Sequence, residues 1–178
     1  RQINPDTLAD KDGDTPLHAA MRGHDVLVCE KLIECGADVS RRNAAGETPL
    51  HVALASHAFG MADLLLSAGA KVDIADNNGD TPLHIAVRAH NAEAVKELLE
   101  RGARVLTPNA AGETPVDIAL REELPGIFET LLPAALKEEA GGQDRQNPPA
   151  PRRRIQKTFS RLDFIPALPV PLACRKRA

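Results

Sequence analysis

Six histidines are the most versatile side chains in this 178-residue sequence, and they fall into two columns. His18, His51 and His84 stand 33 residues apart, and so do His24, His57 and His90. Aligned imidazoles suggest zinc ligation first. No cysteine or acidic residue is periodic with them in a ligand geometry, and Cys29, Cys35 and Cys174 form no Cys-x-x-Cys pair. A structural zinc site and a disulfide framework are both poor fits, and a reducing compartment is the default. Asp10-Lys-Asp-Gly-Asp14 has the outline of a calcium loop, but the stretch around Ala20 lacks the bidentate Glu such a loop needs. No nucleophile–base arrangement and no glycine-rich phosphate loop is visible. The sequence therefore reads as non-catalytic, with no metal, no cofactor and no small-molecule substrate.

The elements that position the histidines repeat with them. Gly13-Asp-Thr-Pro-Leu-His18 recurs as Gly46-Glu-Thr-Pro-Leu-His51, as Gly79-Asp-Thr-Pro-Leu-His84 and, altered, as Gly112-Glu-Thr-Pro-Val-Asp117. A second signature, Gly36-Ala-Asp-Val39, returns at Gly69 and Gly102 with the same period. Each glycine of the first motif stands where a tight turn needs positive φ. Thr15, Thr48, Thr81 and Thr114 are placed to cap helices, and the prolines after them suit the first helical position, where a missing N–H is no loss. A short Ala-rich helix follows (Leu17, Ala20 and Met21; then Leu50, Ala53 and Leu54), and a second shows helical spacing, as in Ala94, Val95, Leu98 and Leu99. Gly36, Gly69 and Gly102 then end the second helices.

Two motifs in register, at one period, closely resemble the ankyrin repeat family over roughly residues 9–133. The resemblance implies an all-α solenoid of helix–turn–helix pairs with β-turn fingers, followed by an extended C-terminal tail. The divisions read as a lead-in at 1–9, repeats at 10–42, 43–75 and 76–108, a capping repeat at 109–140, and a Pro-rich basic tail at 141–178. It also implies that His18, His51 and His84 hydrogen-bond the backbone of the neighbouring repeat, a structural role shared with the four threonines. The second histidine column, with Glu123 as its fourth member, reads as loop residues satisfying helix-end carbonyls, or as a source of mild pH sensitivity. In such arrays the turn tips and first helices line a concave face where protein partners dock. Asp14, Glu47, Asp80 and Glu113 would form an acidic ridge there. Arg22, Arg88 and Arg121, each eight residues later, would form a basic one, with Ala55 in the second repeat. An acidic ridge favours a partner with a basic segment; alternatively the two ridges pair with each other.

Composition agrees with thin layers. Aromatic residues make up 2 % of the chain, with four Phe and no Tyr or Trp, so base-stacking nucleic-acid modules do not fit the repeats. The net charge of −3 conceals a division: residues 1–133 carry 12 basic and 21 acidic side chains, residues 134–178 carry 10 and 4. In the tail, Arg152, Arg153 and Arg154 precede Phe159, Leu162, Phe164 and Leu168, a basic segment with apolar anchors. It suits contact with a partner protein or large complex, an anionic surface such as RNA or lipid headgroups, or a nuclear-localisation signal ending at Arg175–Arg177. No apolar run reaches membrane-spanning length. The expected function is a protein-interaction or scaffold module with the tail as a second contact; the alternative is an accessory subunit of a large assembly anchored by its tail. The first residue is Arg1, so a fragment or processed form is expected. The expected location is intracellular: cytoplasmic, or alternatively nuclear or organellar.

Overall fold

The computed structural model describes residues 5–141, all of whose regular elements are helical. A 3₁₀ turn, Pro5–Leu8, precedes four helix pairs: α1 (Pro16–Gly23) with α2 (Val26–Glu34), α3 (Pro49–Ala55) with α4 (Phe59–Ser67), α5 (Pro82–Arg88) with α6 (Ala92–Glu100), and α7 (Pro115–Arg121) with α8 (Pro125–Gly141). First helices pack on first helices along the stack, giving the solenoid that the repeat implies. No helix among the described residues is long and apolar enough to cross a membrane.

Each first helix begins the same way because Thr-Pro pre-forms its start: Thr15, Thr48, Thr81 and Thr114 are extended N-caps, and proline opens the first turn. The second helices α2, α4 and α6 end in Schellman motifs. Gly69 (φ 87°) donates its N–H to the Leu66 carbonyl at 3.1 Å, and Ala70 donates to Leu65 at 3.0 Å. The first helices end in the same motif without glycine. His24, His57, His90 and Glu123 hold φ between 54° and 57°, the left-handed region. Their backbone N–H groups, at 3.0–3.4 Å, satisfy the helix-end carbonyls of Met21, Leu54, Val87 and Leu120. The side chains of this column take no part in that capping.

The core is a set of aliphatic layers. Leu17, Met21, Leu50, Leu54, Leu65, Leu83, Leu98, Ile118 and Leu131 are fully buried, each contributing about 2 kcal/mol of transfer free energy. Ala20, Ala53, Ala86 and Ala119, one per first helix and all buried, let neighbouring helices approach closely. At the N-terminal end the layer lies open: Val28 is 43 % exposed, whereas Met61 and Ala94 at the same repeat position are 3 % and 6 % exposed.

After Leu132-Pro133 the sequence changes character and offers Ala134–Ala140 as a short helical extension. In the structure that extension is continuous with the second helix of the fourth repeat, so α8 is one helix of 17 residues with Pro133 inside it. Pro133 is exposed, and so is Glu129, the residue whose carbonyl a proline at this place leaves without its helical N–H. The buried stripe of Ile127, Leu131 and Ala135 runs past it without interruption. Beyond the proline, Glu138 accepts from the N–H groups of Val105 (2.8 Å) and Leu106 (3.2 Å), which ties the extension to the third repeat.

Adjacent fingers also bond directly. Ala44 donates to Asp12 at 2.9 Å, Asn77 to Ala45 at 3.0 Å and Ala110 to Asn78 at 2.8 Å. The glycine before each tip permits this approach. A Cβ on Gly79 (φ 76°) would lie 2.8 Å from the Ala110 nitrogen, whereas one on Gly102 (φ 86°) would meet nothing within 4 Å. Gly102→Ala is expected to cost about 1–2 kcal/mol, the left-handed strain alone. Gly79→Ala is expected to cost clearly more, because strain and backbone collision add; urea unfolding midpoints of the two variants compare them.

Candidate functional site

The candidate site is the face built from the finger tips and first helices, and its geometry starts in the turn. Asp10, Asn43, Asp76 and Asn109, again 33 residues apart, fold their side chains back onto their own turns. Asp76 Oδ1 accepts from Asn78 and Asp80 N–H at 2.8 and 2.9 Å, and Asn109 Oδ1 accepts from Ala111 and Glu113 N–H, both at 3.0 Å. This fixes the tip residues Asp14, Glu47, Asp80 and Glu113. Where the turn residue is Asn, its amide does a second job: Asn43 Nδ2 donates to Asp14 at 2.7 Å and Asn109 Nδ2 donates to Asp80 at 2.8 Å, each reaching back to the preceding finger.

Behind each tip lies the imidazole. The Thr81 N–H donates to His84 Nδ1 at 3.0 Å, so Nδ1 is the unprotonated nitrogen and the Thr81 hydroxyl donates to it as well, at 2.9 Å. The proton must therefore sit on Nε2, which donates to the Glu113 carbonyl of the next repeat at 3.1 Å. The same tautomer follows for His18, reaching Glu47 at 3.1 Å, and for His51, reaching Asp80 at 3.0 Å. Both ring nitrogens are occupied, so these imidazoles offer no lone pair to a metal. In the fourth repeat Asp117 closes the box locally: its carboxylate accepts from the Thr114 N–H at 2.9 Å and from the Thr114 hydroxyl at 2.8 Å. It is an acceptor only, so it donates nothing to a further repeat.

The expected acidic and basic ridges are brought together, and they pair. Arg22 is bonded to Asp14, Arg88 to Asp80 and Arg121 to Glu113, each joining a tip to the end of the first helix eight residues on. Asp14 and Asp80 are 5 % and 8 % exposed, so they support the arginines more than they face solvent. Burial pushes the Asp80 carboxyl up, but hydrogen bonds from Arg88 and Asn109 overcome this and hold it below the ordinary Asp value. Glu47 and Glu113 remain more open, at 32 % and 28 %.

The other candidates lie elsewhere. His24, His57 and His90 are exposed. His57 meets Phe59 edge-on at 5.5 Å between ring centres, and His90 Nε2 lies 3.1 Å from Glu122 Oε2. Cys29 is buried, its thiol pushed up to about 11 by burial and then by Asp25; Cys35 is exposed, and both are free thiols. Arg152, Arg153, Arg154, Phe159, Leu162, Phe164 and Leu168 fall outside the described residues. The bridging amides Asn43 and Asn109 were not anticipated, although the 33-residue column they share with Asp10 and Asp76 is visible in the sequence.

Burial holds the pKa of His18, His51 and His84 below the ordinary His value, although the carbonyl bonds and nearby carboxylates oppose it. The unfolded chain therefore binds these protons more readily. Their contribution to stability is complete above about pH 6.5 and is lost as pH falls below it. Urea midpoints are expected to drop between pH 7.5 and pH 5.5. His51→Gln is expected to lose about 1–3 kcal/mol at pH 7.5 and to flatten that pH dependence.

Comparison with known proteins agrees with this geometry. A family model described as ankyrin repeats (3 copies) matches residues 2–76 and 59–140, the greater part of the chain. A search of curated proteins finds no match. With the matched residues, the helix pairs and the Thr-Pro turns all following one 33-residue period, the chain belongs to the ankyrin repeat family.

Proposed function

We propose that this chain is a protein-interaction module of scaffold or adaptor type, whose partner docks across the finger tips and first helices. Ankyrin repeats generally mediate protein–protein interaction and are typically non-catalytic. The observation that carries the reading is the strip of ion pairs along that face. Asp14–Arg22, Asp80–Arg88 and Glu113–Arg121 form at one period, with arginines 35–51 % exposed over more buried acids. Such a strip presents guanidinium groups already oriented, so a partner orders little on binding. The contact set is Arg22, Arg88, Arg121, Glu47 and Glu113, with Asp14 and Asp80 holding the arginines in place. Because the strip is largely self-neutralised, its preference for a basic partner is weaker than an open acidic ridge would give.

A second reading rests on the charge division of the sequence. The tail beyond residue 141 concentrates basic residues, including Arg152–Arg154, beside Phe159 and Phe164. It is proposed as a second contact, or in an accessory subunit as the principal one; any nucleic-acid contact is assigned to the tail alone. An intracellular location is part of the proposal. Co-purification of tagged full-length chain, Arg22→Ala/Arg121→Ala and a deletion of residues 142–178 separates the readings. Loss of specific partners with the double variant, and retention with the deletion, is expected. The reverse pattern overturns face docking in favour of the tail.

A further inference from the structure

The four tip acids are alike in sequence and unlike in what completes them. Asp14 receives Arg22 from its own helix and Asn43 from the next finger; Asp80 receives Arg88 and Asn109 in the same way. Glu113 receives Arg121. Glu47 receives neither donor. The position of the arginine is Ala55, exposed and without reach, and the position of the asparagine is Asp76, a carboxylate turned onto its own finger. What Glu47 has comes from within its own turn and from behind: Asn43 Nδ2 at 3.0 Å, and a shared approach from Arg22 at 3.6 Å while Arg22 is bonded to Asp14. The junction between the second and third repeats thus carries one more carboxylate than its neighbours and lacks the first-helix guanidinium that each other repeat supplies; the Arg42 guanidinium at this junction is bonded to the Gly46 carbonyl and to Asn77.

We propose that this position is a slot for one basic side chain of an extended partner segment, which supplies in trans the close ion pair that Ala55 cannot give Glu47 and that Arg22, bonded to Asp14, makes only at 3.6 Å. The proposal rests on docking at the finger and first-helix face and adds its register. The Ala55 methyl leaves room where the other repeats carry a guanidinium, and Arg22 and Arg88 bound the slot along the strip. An arginine entering beside Ala55 meets the Glu47 carboxylate as Arg88 meets Asp80, with the Asp76 charge behind it. A second basic residue one repeat away in either direction meets an acid already taken by Arg22 or Arg88. The slot therefore selects one basic residue at one register rather than a polybasic run. A partly exposed ion pair is worth little by itself, so the slot chooses the segment and sets its alignment, and the rest of the face supplies the affinity.

The test uses full-length chain and a phage-displayed library of random twelve-residue peptides, with selected peptides resynthesised and their affinity read by fluorescence anisotropy. Selected peptides are expected to share one Arg or Lys, and its replacement by citrulline or norleucine is expected to weaken binding about threefold or more. Ala55→Arg, which fills the slot with the residue type of the other repeats, is expected to weaken the same peptides at least as much while leaving the thermal midpoint unchanged or higher. Glu47→Gln is expected to weaken them too. Peptides that lose affinity to Arg22→Ala/Arg121→Ala but bind Ala55→Arg unchanged overturn the slot and leave face docking intact. Peptides indifferent to every one of these variants overturn face docking itself.

Discussion

One imidazole per junction holds the repeats in register. Its Nδ1 accepts the N–H of the threonine that starts its own helix, and its Nε2 donates to the carbonyl behind the next acidic tip. A single buried side chain thus fixes the start of a helix, the shape of a finger and the spacing to the neighbour. The other layers follow from that spacing: buried alanines can face one another, fingers can exchange backbone bonds, and tip acids stand eight residues from arginines that reach them. Burial then makes the arrangement self-consistent, because an imidazole kept neutral has one donor and one acceptor, and both are used.

Much of this was legible because the period never slips. Thr15, Thr48, Thr81 and Thr114 alone place four helix starts, and glycines at 36, 69 and 102 place three helix ends. Other features were hidden for physical reasons. The pairing of Arg88 with Asp80 is one of two readings the sequence leaves open, because it depends on how a long side chain folds back over a helix start, and sequence offers the two charges without their direction. The passage of α8 through Pro133 depended on which side of the helix the ring would face, and on Glu138 finding two free N–H groups in the third repeat. The left-handed residues were harder still. Histidine occurs where backbone geometry suits glycine, and composition argues against the conformation that is found.

The proposed docking draws on what the fold leaves unspent on the finger and first-helix face. Most tip acids are consumed by arginines and asparagines within the array, so the face is an ordered sequence of dipoles rather than a broad negative field. In the proposed docking, such a surface rewards alignment, that is, which guanidinium or carboxylate meets which group of the partner. The irregular second repeat, with Ala55 and Asp76 breaking the column, is where the surface stops being periodic. A partner reading a strictly periodic strip has no means of knowing where along it to stop.

The replacement of histidine by Asp117 has a consequence of a different kind. Every other junction has a sense of direction, because a side chain of one unit donates to the backbone of the next. In the language of polymers, each repeat carries a reactive head and a receptive tail, and Asp117 is an end group: it satisfies its own turn and has no proton to offer onward. A unit from another molecule arriving at that surface would find its tip carbonyl facing a carboxylate. The stacking bond that His18, His51 and His84 each make has no counterpart there.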